Sequence, residues 1–323
     1  MTTFPQQRAS LLPPSSGEDR HRRYYQIGGV TIEVQSDLPI SDRTFSGKFR
    51  SFCVEGPGSD TISIHHHFGL PELVPSELGR EVYRRPPWVI YSQDDGWTYL
   101  AIAAATDGAG PYSAAAFKAD YSRGDIFHAS ADRFLRGGIE ALTLFPTDQI
   151  LLAQVLGHRS ACMMHSAAAI LDDNGFLFVG HSDAGKSTVT KMLDGRAEIL
   201  CDDRNIVRRW PDGFRVHGTW SHGEIASVSG SDALLRAVFF LRKSKQNRLV
   251  RLTDGKAVLG RLLACLIRPL TSADWWEKSL RLVGVLVREV PCYEMQFDRS
   301  GRIIRELERL SQSPSRVAEE TAV

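Results

Sequence analysis

The chain has 323 residues, and its 39 basic and 38 acidic side chains leave a net charge of +1, so the basic excess expected of a nucleic-acid-binding surface is absent. A composition of 42% apolar and 24% charged residues suits a globular chain that buries its own core, and no apolar run approaches the roughly 20 residues that span a bilayer. Five scattered cysteines, Cys53, Cys162, Cys201, Cys265 and Cys292, form no C-x-x-C pair, which argues against a disulfide framework or structural zinc and for a reducing, cytoplasmic setting.

At about 150 residues per domain the length suits two domains. Residues 1–24, rich in Pro, Ser, Gln and Arg, read as a disordered tail without an apolar signal core, and residues 312–323 read alike. From 25 to 157 the pattern is mixed. Residues 30–34 and 62–67 alternate as strands. Residues 88–91 and 97–101 are strand-like runs around Gln93-Asp94-Asp95-Gly96, and 129–143 and 147–157 read as helices. This predicts a smaller α+β domain with a mostly antiparallel sheet. Within it, His65 and His67 share one strand face and can pair as metal ligands, but no third ligand has an evident spacing.

From 158 to 311 the chain reads as an α/β domain. Strands are expected at 163–170 and 176–179 around the turn Asp172-Asp173-Asn174-Gly175, then a helix at 186–193 closed by Gly195, and a strand at 198–201. A hairpin, 205–210 and 214–218, flanks Pro211-Asp212-Gly213. A strand at 237–241, helices at 254–267 and 272–289, a strand at 292–297 and a helix at 303–310 follow.

The informative segment is Gly180-His181-Ser182-Asp183-Ala184-Gly185-Lys186-Ser187, a full match to G-x-x-x-x-G-K-[ST] between an apolar strand and a helix. In such a loop, main-chain N–H groups wrap a polyphosphate and the helix presents its positive end to the same anion. Lys186 would neutralise the β- and γ-phosphates, and Ser187 would bind the bridging Mg²⁺. Asp202-Asp203 is the second feature. One crossover from 176–179 through the helix to 198–201 ends both strands on the same sheet edge, beside the loop. One carboxylate there can take a proton from a hydroxyl while the other holds metal or its water. His165 is third: a tight turn at 172–175 sets it opposite Ser182 or Ala184, near the loop, where as a catalytic residue it could hydrogen-bond a phosphate or tune an Asp, the alternative being a satisfied core histidine. Trp275-Trp276 reads as packing or an interface anchor, and the basic run at 242–248 as a solvated turn that could steer an anionic substrate.

His165-Ser166-Ala167-Ala168-Ala169, the segment from Gly180 to Thr188, and Cys201-Asp202-Asp203 together resemble the catalytic domain of HPr kinase/phosphorylase, whose fold is related to ATP-dependent phosphoenolpyruvate carboxykinase. The similarity is better to shorter HPr-kinase-like proteins, some of which phosphorylate a serine of a precursor peptide. Residues 216–224, Phe239-Phe240-Leu241 and Val290-Pro291-Cys292-Tyr293-Glu294-Met295 also fit the pattern. The resemblance implies a C-terminal P-loop domain over 158–311. It implies ATP and Mg²⁺ bound by residues 180–188, Asp202 as general base, Asp203 as its metal-side partner and Glu224 as a further Mg²⁺ residue. It also implies a homo-oligomer. The expected reaction is transfer of the γ-phosphoryl group to a hydroxyl, with serine of a peptide, protein or small molecule as acceptor. By location alone the N-terminal half is the place for acceptor recognition. Two departures stand out. Asp183 replaces the family's loop glycine, and the Glu-x-Arg-Gly-x-Gly segment tied to HPr recognition has no counterpart. The alternatives are a non-catalytic nucleotide switch or scaffold in a biosynthetic complex, and carboxykinase-like phosphoryl transfer.

Overall fold

The computed structural model describes residues 20–102, 110–143, 148–270 and 273–313. Strands β1 (Arg22–Ile27), β2 (Val30–Ser36), β3 (Cys53–Val54), β4 (Thr61–Phe68), β5 (Arg80–Arg85), β6 (Trp88–Ser92), β7 (Gly96–Ala101), β8 (Ser113–Lys118) and β9 (Arg123–His128) form one nine-stranded sheet in the order β3-β1-β2-β4-β9-β8-β7-β6-β5. The pairs β2–β4 and β4–β9 are parallel, and the other pairs are antiparallel. Alternation sets the faces: on β4, Ile62, Ile64 and His66 are buried, while Ser63, His65 and His67 face outward.

Two expectations fail in this half. The helix expected at 129–143 shrinks to α1 (Asp132–Arg136), because Gly137 and Gly138 take φ of 75° and 68°, a conformation that ends a helix. The tail expected at 1–24 is in part strand. Residues 1–19 lie outside the described residues, but β1 starts at Arg22, where Tyr25 and Ile27 are buried despite polar neighbours. The second helix is α2 (Gln149–Gly157).

The remaining elements are β10 (Ala161–Leu171), β11 (Asn174–Val179), α3 (Lys186–Leu193), β12 (Glu198–Cys201), β13 (Arg204–Trp210), β14 (Gly213–His217), β15 (Asp232–Lys243), β16 (Arg248–Arg251), α4 (Gly255–Leu263), α5 (Ala273–Glu289), β17 (Cys292–Phe297) and α6 (Ile304–Gln312). They make a second mixed sheet of eight strands. The long strands β10 and β15 each serve three ladders, with β12 also on β10 and β17 also on β15. β10 pairs β13 through its first half and β11 through its second, and β15 pairs β14 and then β11. With β13–β14 the pairing closes into a ring. The expected helix 254–267 stops at Leu263 because the following residues run along β10 instead: His165 N–H donates to Cys265 O and Ile267 N–H to Met163 O. Two mixed sheets with flanking helices make this an α+β protein. No helix among the described residues is long and apolar enough to cross a membrane.

The two sheets share a core. Ile206, Met163 and Trp220 from the second half pack in one cluster with Ile27, Ile32 and Ile62 from the first. Trp220 is 1% exposed and its ring meets Phe49 and Phe52 at 5.1 and 5.2 Å. Removing an aromatic side chain buried this way costs about 3–5 kcal/mol. Arg159 and Asp60 add an ion pair across the same boundary, at 2.7 Å.

Candidate active site

The β10–β11 turn is Asp172-Asp173, both at positive φ, and Leu171 pairs Asn174. Asn174 and Gly175 therefore belong to the strand rather than to the turn. The ladder ends at Ser166–Val179, so its next position would set His165 opposite Gly180, not opposite Ser182 or Ala184. β11 then runs into the 180–185 loop, where Ala184 N–H donates to His181 O at 3.1 Å. Asp183 sits at φ 66°, the left-handed region that glycine favours and Asp tolerates. Gly185, at φ 108°, leaves no room for a side chain: an added Cβ would lie 2.7 Å from the Phe297 ring.

α3 begins at Lys186 with no side-chain cap, so its first-turn N–H groups lack intrahelical partners and favour an anion. Ser187 and Thr188 are half-buried in that turn, while His181, Ser182 and Asp183 are exposed. Lys186 is 8% exposed and its Nζ donates to Gly180 O at 3.0 Å and His181 O at 3.3 Å. Burial lowers its pKa against the opposing pull of Asp203, Cys265, Asp202 and Asp183.

β12 lies beside β10, antiparallel to it, on the side away from β11. The crossover therefore skips one strand, but β11 and β12 run parallel and end at the same edge. Past β12 the two carboxylates part. Asp202 is 3% exposed, and its oxygens accept from Gly223 N–H at 2.7 Å and Ile225 N–H at 3.0 Å. Asp203 remains more open, with Oδ1 3.3 Å from His165 Nε2 and Oδ2 paired with Arg204. Burial lowers the His165 pKa and the Lys186 charge adds to it, while Asp203 opposes both. Glu224 stands apart, exposed, 3.7 Å from Lys191 on the flank of α3. The loop, Lys186, His165 and the Asp pair thus share one sheet edge. The basic run at 242–248 links the end of β15 to β16 on the far side of β17, with Arg242 on Glu294 and Arg248 on Gln296.

Two further residues belong to this edge. Asn205 is fully buried, and its Nδ2 donates to Ser166 O at 2.8 Å and Cys201 O at 3.2 Å. It ties β10 to the end of β12 and so fixes the position of the Asp pair. Its place three residues after Asp202 is the signal that could have marked it. The Cys265 thiol, pushed up by burial, is countered by the Lys186 charge and by a bond from Gly180 N–H. Its arrival depends on a segment laid against β10, which leaves no mark in local sequence.

The fold and this edge define a mixed α+β protein with a strand–loop–helix segment at one end of its second sheet. Residues 147–312, just over half of the chain, match the family model described as SynChlorMet cassette protein ScmC, and the chain belongs to that family. Among solved structures, the Hpr(Ser) kinase/phosphatase from Coxiella burnetii is similar at 12% identity and a TM-score of 0.31, over 49% of this chain and 93% of that one. That likeness is too distant to carry an argument. No curated protein matches the chain.

Proposed function

We propose that this chain is an ATP-dependent kinase that transfers the γ-phosphoryl group to a hydroxyl, with serine of a peptide, protein or small molecule as the acceptor class. The observation that carries this reading is the meeting, at one sheet edge, of an uncapped helix start, a buried lysine and two carboxylates of unlike surroundings. The donor set fits ATP and Mg²⁺. Main-chain N–H groups of residues 180–188 would hold the phosphates, and Lys186 Nζ would exchange two neutral carbonyls for phosphate oxygens. Ser187 and Asp203 would hold Mg²⁺, and Glu224 would join them only by leaving Lys191. The bound ion supplies charge neutralisation along the phosphates.

Asp202 is the proton acceptor in this reading. A carboxylate offers about four lone-pair sites, and the two N–H bonds from Gly223 and Ile225 fix its orientation without using them all. The segment carrying those N–H groups covers Asp202, so the acceptor hydroxyl reaches it when that segment shifts. His165 holds Asp203 through the contact of its Nε2 with Oδ1. Most of the rate would come from positioning and charge neutralisation.

The test is incubation with γ-labelled ATP, Mg²⁺ and serine-bearing acceptors. Label is expected in the acceptor with the natural chain and not with Lys186→Ala. Transfer undiminished in Lys186→Ala, or nucleotide binding with no transfer to any acceptor, would overturn the kinase reading.

A further inference from the structure

We infer that Asp37, His65 and His67 form a site for one divalent transition-metal ion of the Zn²⁺ class on the outer face of the nine-stranded sheet. Alternation along β4 turns His65 and His67 outward together, and their rings stack with centroids 4.2 Å apart. Asp37 follows the last residue of β2, and its N–H donates to His66 O at 3.0 Å. This swings its carboxylate over both rings, with Oδ1 2.8 Å from His65 Nε2 and Oδ2 3.0 Å from His67 Nδ1. The three ligand atoms lie within 4.8 Å of one another. Tetrahedral zinc with bonds of about 2.0–2.2 Å sets its ligand atoms about 3.3 Å apart, which small side-chain rotations reach.

An independent feature supports the same ion. The other nitrogen of His67, Nε2, lies 3.3 Å from Asp125 Oδ1 on the neighbouring strand β9, and Arg123 holds Asp125 in turn at 3.4 Å. A carboxylate behind a histidine fixes its tautomer and leaves the opposite nitrogen free to bind metal. The Asp37, His65 and His67 side chains are 48%, 30% and 27% exposed, so an ion can enter and keep a water ligand. Two imidazoles and one carboxylate favour Zn²⁺, Co²⁺, Ni²⁺ or Cu²⁺ over the all-oxygen ions Mg²⁺ and Ca²⁺. The ion would differ in kind from the Mg²⁺ of the kinase reading, and neither proposal depends on the other. It would pin the end of β2 to β4, with β9 bracing it, across three parallel neighbours.

The test uses the untagged full chain, treated with chelator and titrated calorimetrically with Zn²⁺ and with Co²⁺. One equivalent is expected to bind saturably. His65→Gln/His67→Gln should weaken binding at least about 100-fold, and Asp125→Asn by about 10- to 100-fold. Histidine ring signals followed by NMR in the natural chain give a readout that needs no variant to fold, and those of His65 and His67 should shift with Zn²⁺. No saturable binding, unchanged affinity in the folded double variant, or shifts confined to other histidines would overturn the site.

Discussion

The indole N–H of Trp220 donates to Asp148 Oδ2 at 3.1 Å, and this bond joins the two halves of the molecule directly upstream of the segment that covers Asp202. Asp148 is 5% exposed and also accepts from Leu142 N–H, Thr143 N–H and the Thr143 hydroxyl. Trp220→Phe keeps most of the ring and removes one donor from a buried carboxylate. It should cost about 1–3 kcal/mol, read as a lower urea midpoint with an unchanged slope. An unchanged midpoint would mean that the bond contributes nothing.

Asp183 holds a left-handed backbone position and sets a carboxylate within electrostatic reach of Lys186. Asp183→Gly relieves the conformation and removes the negative charge. Under the kinase reading, ATP affinity measured by calorimetry should rise several-fold. Weaker binding in this variant would show that the carboxylate helps to hold the nucleotide or its cation.

The two carboxylates should fail differently. Asp202→Asn is expected to lower the transfer rate by about 10²–10⁴-fold with little change in ATP affinity. Asp203→Asn is expected to raise the Mg²⁺ concentration needed for half-maximal rate. An active Asp202→Asn beside an inactive Asp203→Asn would move the proton-accepting role to Asp203.

His217 gives the fold an acid-sensitive point. Burial pushes it down to about 4, against attraction by Asp232 and with Arg208 and Arg215 adding to the depression. The Trp210 indole N–H donates to its Nε2 at 3.3 Å, which requires that nitrogen unprotonated. The unfolded chain takes up the proton near 6.5 and the folded chain only near 4. The unfolded state therefore binds more protons between these values, and stability is lost as pH falls through that window. The contribution is on the order of 3 kcal/mol. Urea unfolding at pH 7, 5.5 and 4 should show a shallower loss for His217→Gln than for the natural chain, and equal losses would reject the assignment.

Asn205→Leu leaves Ser166 O and Cys201 O without their buried donor. A destabilisation of about 3 kcal/mol is expected, measured by chemical unfolding, together with reduced transfer because the Asp pair loses its anchor. A variant as stable as the natural chain would show that the strand ends are held by other contacts.

Legibility in the sequence tracked how local the signal was. α3 at 186–193, β12 at 198–201 and β17 at 292–297 take the limits that glycines and short apolar runs predict. β5 did not announce itself: its residues are mostly exposed, so nothing alternates between core and water. The helix expected at 129–143 followed apolar spacing through a Gly-Gly pair that the backbone uses to turn. At the candidate site the loop was visible as a motif. The cover over Asp202 was not, because Gly223 and Ile225 arrive from beyond another hairpin. Asp37 was equally hidden as a partner of His65 and His67, since only the parallel pairing of β2 with β4 brings it there.

The closed circuit of β10, β13, β14, β15 and β11 bears on how the molecule is made. β11 meets β10 across a two-residue turn, but its other neighbour, β15, lies about sixty residues further on. Pairings of such long sequence separation form slowly. A nascent polypeptide that has left the ribosome only as far as α3 carries every residue of the 180–187 loop without the strand that flanks β11 on its other side. The last pair of that ladder, Val179 with Phe240, can form only once about sixty residues beyond the loop-bearing strand have been made.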